Sequence, residues 1–188
     1  MFRIHAILVG LALWILGCKK ESVAPIATPE AKALAIGLVT DVGGRGDQSF
    51  NDSALRGLEV WAAGVEYQGG SYKPLDDARR SASIPSVLSD RLKRLSIRPM
   101  VVQSKAQEDY LPNLQLLVDQ GVALAIATGF MLENAVEAIA KANRNSKFLL
   151  IDSPLLDAKG AIVTLPNVRT VVFKEEEGSF LAGALAAM

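Results

Sequence analysis

The sequence predicts an α/β fold, a parallel sheet wrapped by helices. Two observations carry this. Short apolar runs of the kind expected for strands covered on both faces recur from Leu34 to Phe173, and they alternate with longer stretches of helical period. That alternation calls for a parallel sheet joined by helical crossovers. A third observation concerns the strand ends. Asp41 with a glycine loop, Thr128-Gly129-Phe130 and Asp152-Ser153 each follow an apolar run, and open sheets of this sort bind ligands at the carboxyl ends of their strands.

The elements follow in order. Leu34–Thr40 reads as a buried strand. After the glycine loop, Phe50, Ala54, Leu58 and Trp61 recur at helical spacing, and Leu55 and Ala62 widen the stripe. Pro99–Val102 is a second strand. Asp109 is placed to cap a helix whose Leu111, Leu114, Leu117 and Val118 share a face, and Gly121 is placed to close it. Ala123–Ala127 is a third strand. Met131, Leu132, Ala135, Val136, Ile139 and Ala140 form an amphipathic helix, and Lys147–Ile151 is a fourth strand. Ala161–Leu165 is expected as a fifth strand and Val171–Phe173 as a sixth. From Glu176 the pattern is helical again, through Phe180, Leu181, Ala184 and Leu185.

Residues 64–98 interrupt this rhythm and read as an insertion. They hold two turns rich in glycine or bearing proline, then Leu88, Leu92 and Leu95 at helical spacing across Ser86–Leu95. Arg79, Arg80, Arg91, Lys93, Arg94 and Arg98 would suit a basic patch. Asp76, Asp77 and Asp90 dilute it, and the plainer reading is a solvated charged face.

Composition excludes several classes. The chain has 188 residues, half of them hydrophobic, with 20 basic and 20 acidic side chains and a formal net charge of zero. A disordered tail, a disulfide scaffold and a collagen-like fibre are ruled out. Nucleic-acid binding lacks its basic excess. The one His and the one Cys are His5 and Cys18, so nothing beyond residue 18 supplies imidazole or thiol. Ser-His-Asp and Cys-His catalysis are thereby excluded, as is any metal site built on those groups. A small hydrolase is poorly supported, and neither cofactor nor metal is implied.

Residues 1–17 read as an export signal, with Arg3 in a short basic start and an apolar run over 6–17 that is too short to span a bilayer. Ile15-Leu16-Gly17-Cys18 resembles the lipobox of bacterial lipoproteins. The resemblance implies cleavage before Cys18, a diacylglycerol on its sulfur and an acyl chain such as palmitate on its new amine. Several acyl chains give stable anchoring where one is marginal. Residues 18–33, with Pro25 and Pro29 and no sustained pattern, read as a tether.

The densest chemical signal is the loop Asp41-Val-Gly-Gly-Arg-Gly-Asp-Gln-Ser-Phe-Asn-Asp52. Gly43, Gly44 and Gly46 let the backbone approach a ligand closely. As a dinucleotide fingerprint it fails at Ser49, and Asp47 would oppose a pyrophosphate. No Walker lysine is present, and Arg45-Gly46-Asp47 is too short a match to an adhesion tripeptide to count. Two readings stay open on chemistry alone. Carboxylates and amides beside Phe50 suit a neutral ligand rich in N–H and O–H donors, such as a nucleoside or sugar. Equally, Asp41 and Asp47 cap turns and Phe50 is the first core residue of its helix.

Asp41-Val-Gly-Gly-x-Gly-Asp-x-Ser-Phe-Asn51 resembles the opening motif of the basic membrane protein family of bacterial lipoproteins. Gly129-Phe130 before an amphipathic helix is similar to that family's third strand end. Phe173-Lys-Glu-Glu-Glu-Gly-Ser-Phe-Leu-Ala-Gly-Ala-Leu-Ala-Ala187 resembles its crossover segment. The family comprises solute-binding proteins of ABC importers, similar in fold to the type I periplasmic binding proteins, and its best-known ligands are purine nucleosides held between two lobes. The resemblance implies that Asp41 accepts hydrogen bonds from the base, that Phe50 stacks on its ring and that Asn51 lies beside it as a polar contact. Gly129 and Phe130 line the cleft floor, with Asp152 a weaker candidate.

The organisation expected is a signal over 1–17, a lipidated tether over 18–33, a first α/β lobe over 34–170 and a crossover over 171–188 into a second lobe that is mostly absent. With half the cleft missing, the 188-residue chain is expected to bind nucleosides poorly. The partners implied are a nucleoside-like ligand, an ABC permease complex and a membrane reached through the lipid anchor, with the protein in the cell envelope facing the periplasm or cell exterior. The alternative on the same fold is a sensory or ligand-presenting lipoprotein.

Overall fold

A computed structural model describes residues 33–89, 91, 95–157 and 159–188. The signal, the lipidation residue Cys18 and all of the tether but Ala33 lie outside the described residues. Strand β1 (Leu34–Thr40) leads to helix α1 (Phe50–Arg56), which continues as a π-helix over Gly57–Ala63. A hairpin of β2 (Val65–Gln68) and β3 (Ser71–Pro74) and two short helices, α2 (Asp77–Ser83) and α3 (Ser86–Ser89), precede β4 (Ile97–Gln103). Then come α4 (Tyr110–Asp119), β5 (Leu124–Thr128), α5 (Glu133–Ala142), β6 (Phe148–Ile151), β7 (Val168–Val171) and α6 (Glu175–Ala186).

Five strands form one parallel sheet in the order β4-β1-β5-β6-β7. The chain steps outward from β1 to β4, then passes back over β1 to β5. The order therefore reverses between β1 and β5, and that reversal opens a crevice at the carboxyl ends of these two strands. Side chains alternate across the sheet, so β1 feeds both faces. Val39 joins a core with Leu114, Leu117, Val136, Ile139 and Phe148, beneath α4 and α5. Leu38 packs with Leu55 and Leu58 of the α1 segment on the other face. Gly37 has a steric reason to be there: a Cβ would lie 2.5 Å from Cδ1 of the buried Leu117, so glycine lets α4 sit close against β1.

Four details differ from the sequence reading. Ala161–Leu165 is not a strand. The Asp157 carboxylate accepts the N–H groups of Lys159 and Ala161, Gly160 takes φ +77°, and the segment folds on itself through an isolated bridge between Leu156 and Ile162. The fifth parallel strand is instead Val168–Val171, which displaces the strand expected over 171–173 and leaves Phe173 beyond the sheet. Asn167 sets this register by donating to the carbonyls of Ala140, Asn143 and Ser146. The Asp109 carboxylate turns backward to accept the N–H groups of Lys105 and Ala106 rather than capping α4. The helix expected across Ser86–Leu95 is described only as α3, Ser86–Ser89.

The insertion contains a hairpin that the sequence reading took only as turns. Gly69 and Gly70, at φ +56° and +85°, supply the two left-handed positions a tight hairpin turn needs. Tyr67 and Tyr72 face each other across the strands, with ring centroids 5.3 Å apart, edge to face. Two of the arginines suspected of a basic patch have local partners. Arg80 donates to the Trp61 and Ala62 carbonyls that end the π-helix, and Arg79 pairs with Glu66 at 3.3 Å.

Candidate functional site

The loop of residues 41–49 leaves the carboxyl end of β1 and reaches the end of β4, where the Arg45 N–H donates to Gln103 Oε1 at 3.0 Å, and its shape is otherwise set from within. Asp47 holds the start of α1: its two carboxylate oxygens accept the N–H groups of Ser49, Asn51 and Asp52 at 2.9–3.0 Å. These are donors a helix cannot satisfy internally. Burial opposes ionisation of Asp47, but these N–H groups and the Asn51 amide outweigh it and hold the carboxyl below its ordinary value near 3.8. Asp52 completes the loop by accepting the N–H groups of Gly46 and Gln48. Gln48 takes φ +53°, which a non-glycine residue adopts only when its surroundings enforce it.

Asp41 is held by the same network. Its Oδ1 accepts the Gly43 N–H at 2.8 Å and the Asn51 amide Nδ2 at 2.6 Å, while its own N–H donates to Asn51 Oδ1 at 3.2 Å. Oδ2 accepts from no described group. It faces Gly129, where a Cβ would lie 3.3 Å from it. Gly129 also has φ +99° and donates its N–H to the Ile151 carbonyl. The first and third strand ends therefore meet at the topological switch point, with one carboxylate oxygen free between them. Asn51 is placed differently from the expectation. It is 1% exposed and its amide is used by Asp41 and Asp47, so it orients Asp41 rather than standing at the surface.

Phe50 corrects the turn-and-core alternative: it is 44% exposed, although its helix begins where expected. Its ring lies 6.0 Å from that of Phe173, tilted by 40°, and the two line a cavity of about 380 Å³ with Ser49, Ser53 and Glu175. Phe130 is exposed at the end of β5. Asp152 ends β6 at φ +71°, with its N–H on the Val171 carbonyl at 2.7 Å. Burial raises its carboxyl first, and a hydrogen bond and the negative charge of Glu175 raise it further.

Residues the sequence reading passed over surround this site. Phe173 and Glu175 are brought beside Phe50 by the path from β7 into α6. Thr40 and Thr128, next to one another at the ends of β1 and β5, are fully buried with unpartnered hydroxyls. The Tyr110 hydroxyl is also buried and makes no well-formed hydrogen bond, with the Val42 N–H near it. Burial pushes its acidity down, the Val42 N–H opposes that, and the charges of Asp41 and Glu108 add to it. Arg45 anchors the loop from behind. It makes a two-pronged pair with Glu59 of the π-helix at 2.6 and 2.9 Å and lies 4.3 Å above the Tyr67 ring. The Tyr72 hydroxyl donates to the same Glu59 at 2.7 Å, and burial followed by that carboxylate raises its pKa well beyond the ordinary tyrosine range. Among the described residues, no group of three His, Cys, Asp or Glu could hold a metal ion, and no helix is long and apolar enough to cross a membrane.

An open parallel sheet carrying a rigid acidic loop and two exposed phenyl rings at its switch point has the kind of crevice in which open α/β sheets bind ligands. Comparison with known proteins assigns the family. The model of the Bmp family, described as ABC transporter substrate-binding protein PnrA-like, matches residues 35–188, and the chain belongs to this family. The ABC transporter nucleoside-binding protein BmpA of Lactococcus lactis subsp. cremoris is 27% identical over 187 residues, covering all of this chain and 44% of that protein. The CD4+ T-cell-stimulating antigen of Listeria monocytogenes is 25% identical, over 95% of this chain and 41% of its own. An uncharacterized lipoprotein of Pyrococcus horikoshii, PH1714, is 26% identical over 96% of this chain and 36% of its own. A crystal structure of an ABC transporter solute-binding protein from Aeropyrum pernix K1 shares the fold, with a TM-score of 0.54 and 24% identity over 80% of this chain and 31% of that one. The chain thus spans less than half the length of the curated relatives it matches.

Proposed function

We propose that residues 34–170 form one lobe of a lipid-anchored solute-binding protein that presents a purine nucleoside, or a similar small polar ligand, to an ABC permease. The observation that carries this reading is the free Oδ2 of Asp41, fixed at the switch point by Asn51 and Gly43 beside the exposed Phe50. A carboxylate oxygen with open lone pairs takes N–H donors on a base edge, and an aromatic face takes the ring, a stacking contact worth about 1–3 kcal/mol. Phe173 joins Phe50 as a second apolar contact. Gly129 and Phe130 form the floor, and Asp152 adds a polar edge. Asn51 acts through Asp41. Residues 171–188 lead toward a second lobe that closes on the ligand. Cys18 bears the lipid, which places the protein in the cell envelope on the outer side of the membrane. The domain works by binding, without catalysis or a cofactor.

The test is a titration of the isotopically labelled chain with inosine, adenosine and uridine, followed by backbone amide spectra. Purine nucleosides should shift resonances of residues 41–51, Gly129 and Phe173 at millimolar concentration. Phe50→Ala should remove those shifts while leaving the rest of the spectrum in place. Shifts centred elsewhere, or equal shifts in the Phe50→Ala chain, would show the assignment to be wrong.

A further inference from the structure

We propose that the amino-terminal end of the sheet is a docking surface for the anionic headgroups of a lipid bilayer, which holds the ligand-binding end toward solvent until the domain leaves the surface to meet its permease. The net charge of zero conceals a separation of charge along the strands. Asp41, Asp47, Asp152, Glu175, Glu176 and Glu177 gather at the carboxyl ends, where Arg45, Lys105 and Lys174 offset them only in part. At the opposite end stand Arg98, Arg144, Lys147 and Arg169, all exposed.

The fold brings these four together from distant points in the sequence. All five strands of the sheet start at the same end. Arg98 is the second residue of β4 and lies level with Ala35 of β1. Arg144 and Lys147 lie in the short turn between α5 and β6, a turn pinned by the Asn167 amide on the Asn143 and Ser146 carbonyls. Arg169 is the second residue of β7. Lys147 and Arg169 line one cavity of about 410 Å³ with Leu124, Phe148, Leu149 and Pro166, so two cations flank an apolar floor. That combination suits a phosphate headgroup with its glycerol carbons.

Among the described residues no carboxylate pairs with any of the four. Arg98, Arg144 and Lys147 make no side-chain hydrogen bond there, and Arg169 gives Nη1 only to the Val168 carbonyl. Acids near this end are partly engaged: Asp119 accepts from Gln115, and Asp76 accepts the Arg79 N–H at the start of α2, where Asp77 follows.

The membrane is the occupant favoured because the chain joins the sheet at this same end. The Leu34 N–H donates to the Ser96 carbonyl there, at 2.8 Å. Residues 18–33 can extend at most about 58 Å, so with lipid on Cys18 this end is held within reach of the bilayer. The inference rests on the lipoprotein reading for that proximity. The charge geometry then decides which end faces the surface, since an anionic leaflet attracts the basic end and repels the acidic one.

The experiment measures co-sedimentation of the full chain with phosphatidylcholine vesicles that do or do not contain about 30 mol% phosphatidylglycerol, where each nearby cation is worth about fivefold in partition. Combined Arg144→Gln, Lys147→Gln and Arg169→Gln should lower partition to the anionic vesicles about 100-fold and leave the neutral vesicles unaffected. Glu176→Gln with Glu177→Gln, at the acidic end, should not lower it. Far-UV circular dichroism checks folding. If the triple variant fails to fold, Arg144→Gln with Lys147→Gln should still give about a 25-fold loss. Unchanged partition to anionic vesicles in a folded variant overturns the inference, as does an equal loss on neutral vesicles. Mass spectrometry of Cys18 from the membrane fraction tests the anchor separately. An acylated Cys18 alongside a charge-insensitive partition defeats this inference and leaves the lipoprotein reading standing. An unacylated Cys18 with charge-dependent partition does the reverse.

Discussion

The two faces of the sheet are held by different physics. Beneath α4 and α5, Val39, Leu114, Leu117, Leu132, Val136, Ile139 and Phe148 form a continuous apolar core. Among the described residues, the buried apolar cluster on the face carrying α1 is smaller: Leu38, Leu55 and Leu58, with Ile36, Ala54, Ile97, Val101 and Ile126 partly buried against it. Its remaining cohesion is polar: Arg45 and Tyr72 on Glu59, Arg80 on the end of the π-helix, and the Trp61 indole N–H on the Ser83 carbonyl. The apolar face supplies most of the stability. The polar face supplies position, since it ties the loop of residues 41–49 to the inserted hairpin through groups with fixed geometry.

That contrast can be broken by substitution. Leu114→Ala, fully buried on the apolar face, should cost about 3–4 kcal/mol in urea unfolding, as other leucine deletions in packed cores do. Glu59→Gln on the polar face should cost less, about 2 kcal/mol, because Arg45 keeps some contact with water while the Tyr72 hydroxyl retains an acceptor. Its larger effect should be local, as faster amide hydrogen exchange over residues 43–49. Equal unfolding costs for the two variants, without faster exchange in the loop, would contradict the division between stability and position. Asp47→Ala should cost about 1–2 kcal/mol by stripping the α1 N–H groups of their acceptor, measured in the same way. Gly129→Ala should cost about 1–2 kcal/mol from its φ of +99° and crowd Asp41 Oδ2, which amide spectra would report at Asp41.

The smallest effect expected is one of pH, and its sign differs between two carboxyls. Asp47 titrates below its unfolded value, so its stabilisation is complete above about pH 4 and is lost as pH falls through the folded value. Asp152 titrates above its unfolded value, so its contribution is full below about pH 4 and declines as pH rises through the folded value. Asp47→Asn should therefore flatten the acid limb of the melting-temperature profile. Asp152→Asn should flatten the fall just above it. An Asp152→Asn profile that matches the parent would show that burial and Glu175 do not raise this carboxyl.

Much of this organisation was legible in the sequence, for identifiable reasons. The limits of β1 were read without error because a seven-residue apolar run ending at an Asp before a glycine loop is a local pattern. The helix of Glu133–Ala142 was equally plain from its period. The stretch from Pro154 to Phe173 misled because Leu155, Val163 and Leu165 are core residues held in a folded-back loop, and apolar runs do not distinguish such a loop from a strand. The hairpin at 65–74 had a usable signal in Gly69-Gly70 between two tyrosine-bearing runs, one that the charged residues around it obscured.

For the site, the sequence by itself determined the residue types in the loop after β1, its close-approach glycines and its position at a strand end, all of which depend on neighbours a few residues apart. Tertiary structure decided which of those residues face outward. Asn51 and Asp47 turned inward because α1 begins with N–H groups that need acceptors. Asp41 was left with one free oxygen because its other is used within the loop. Phe173 came beside Phe50 across more than a hundred residues. The split of a neutral charge into an acidic and a basic end likewise follows from parallel strands sharing one direction. Such pairings depend on sheet order, and that order is decided by packing the whole domain at once.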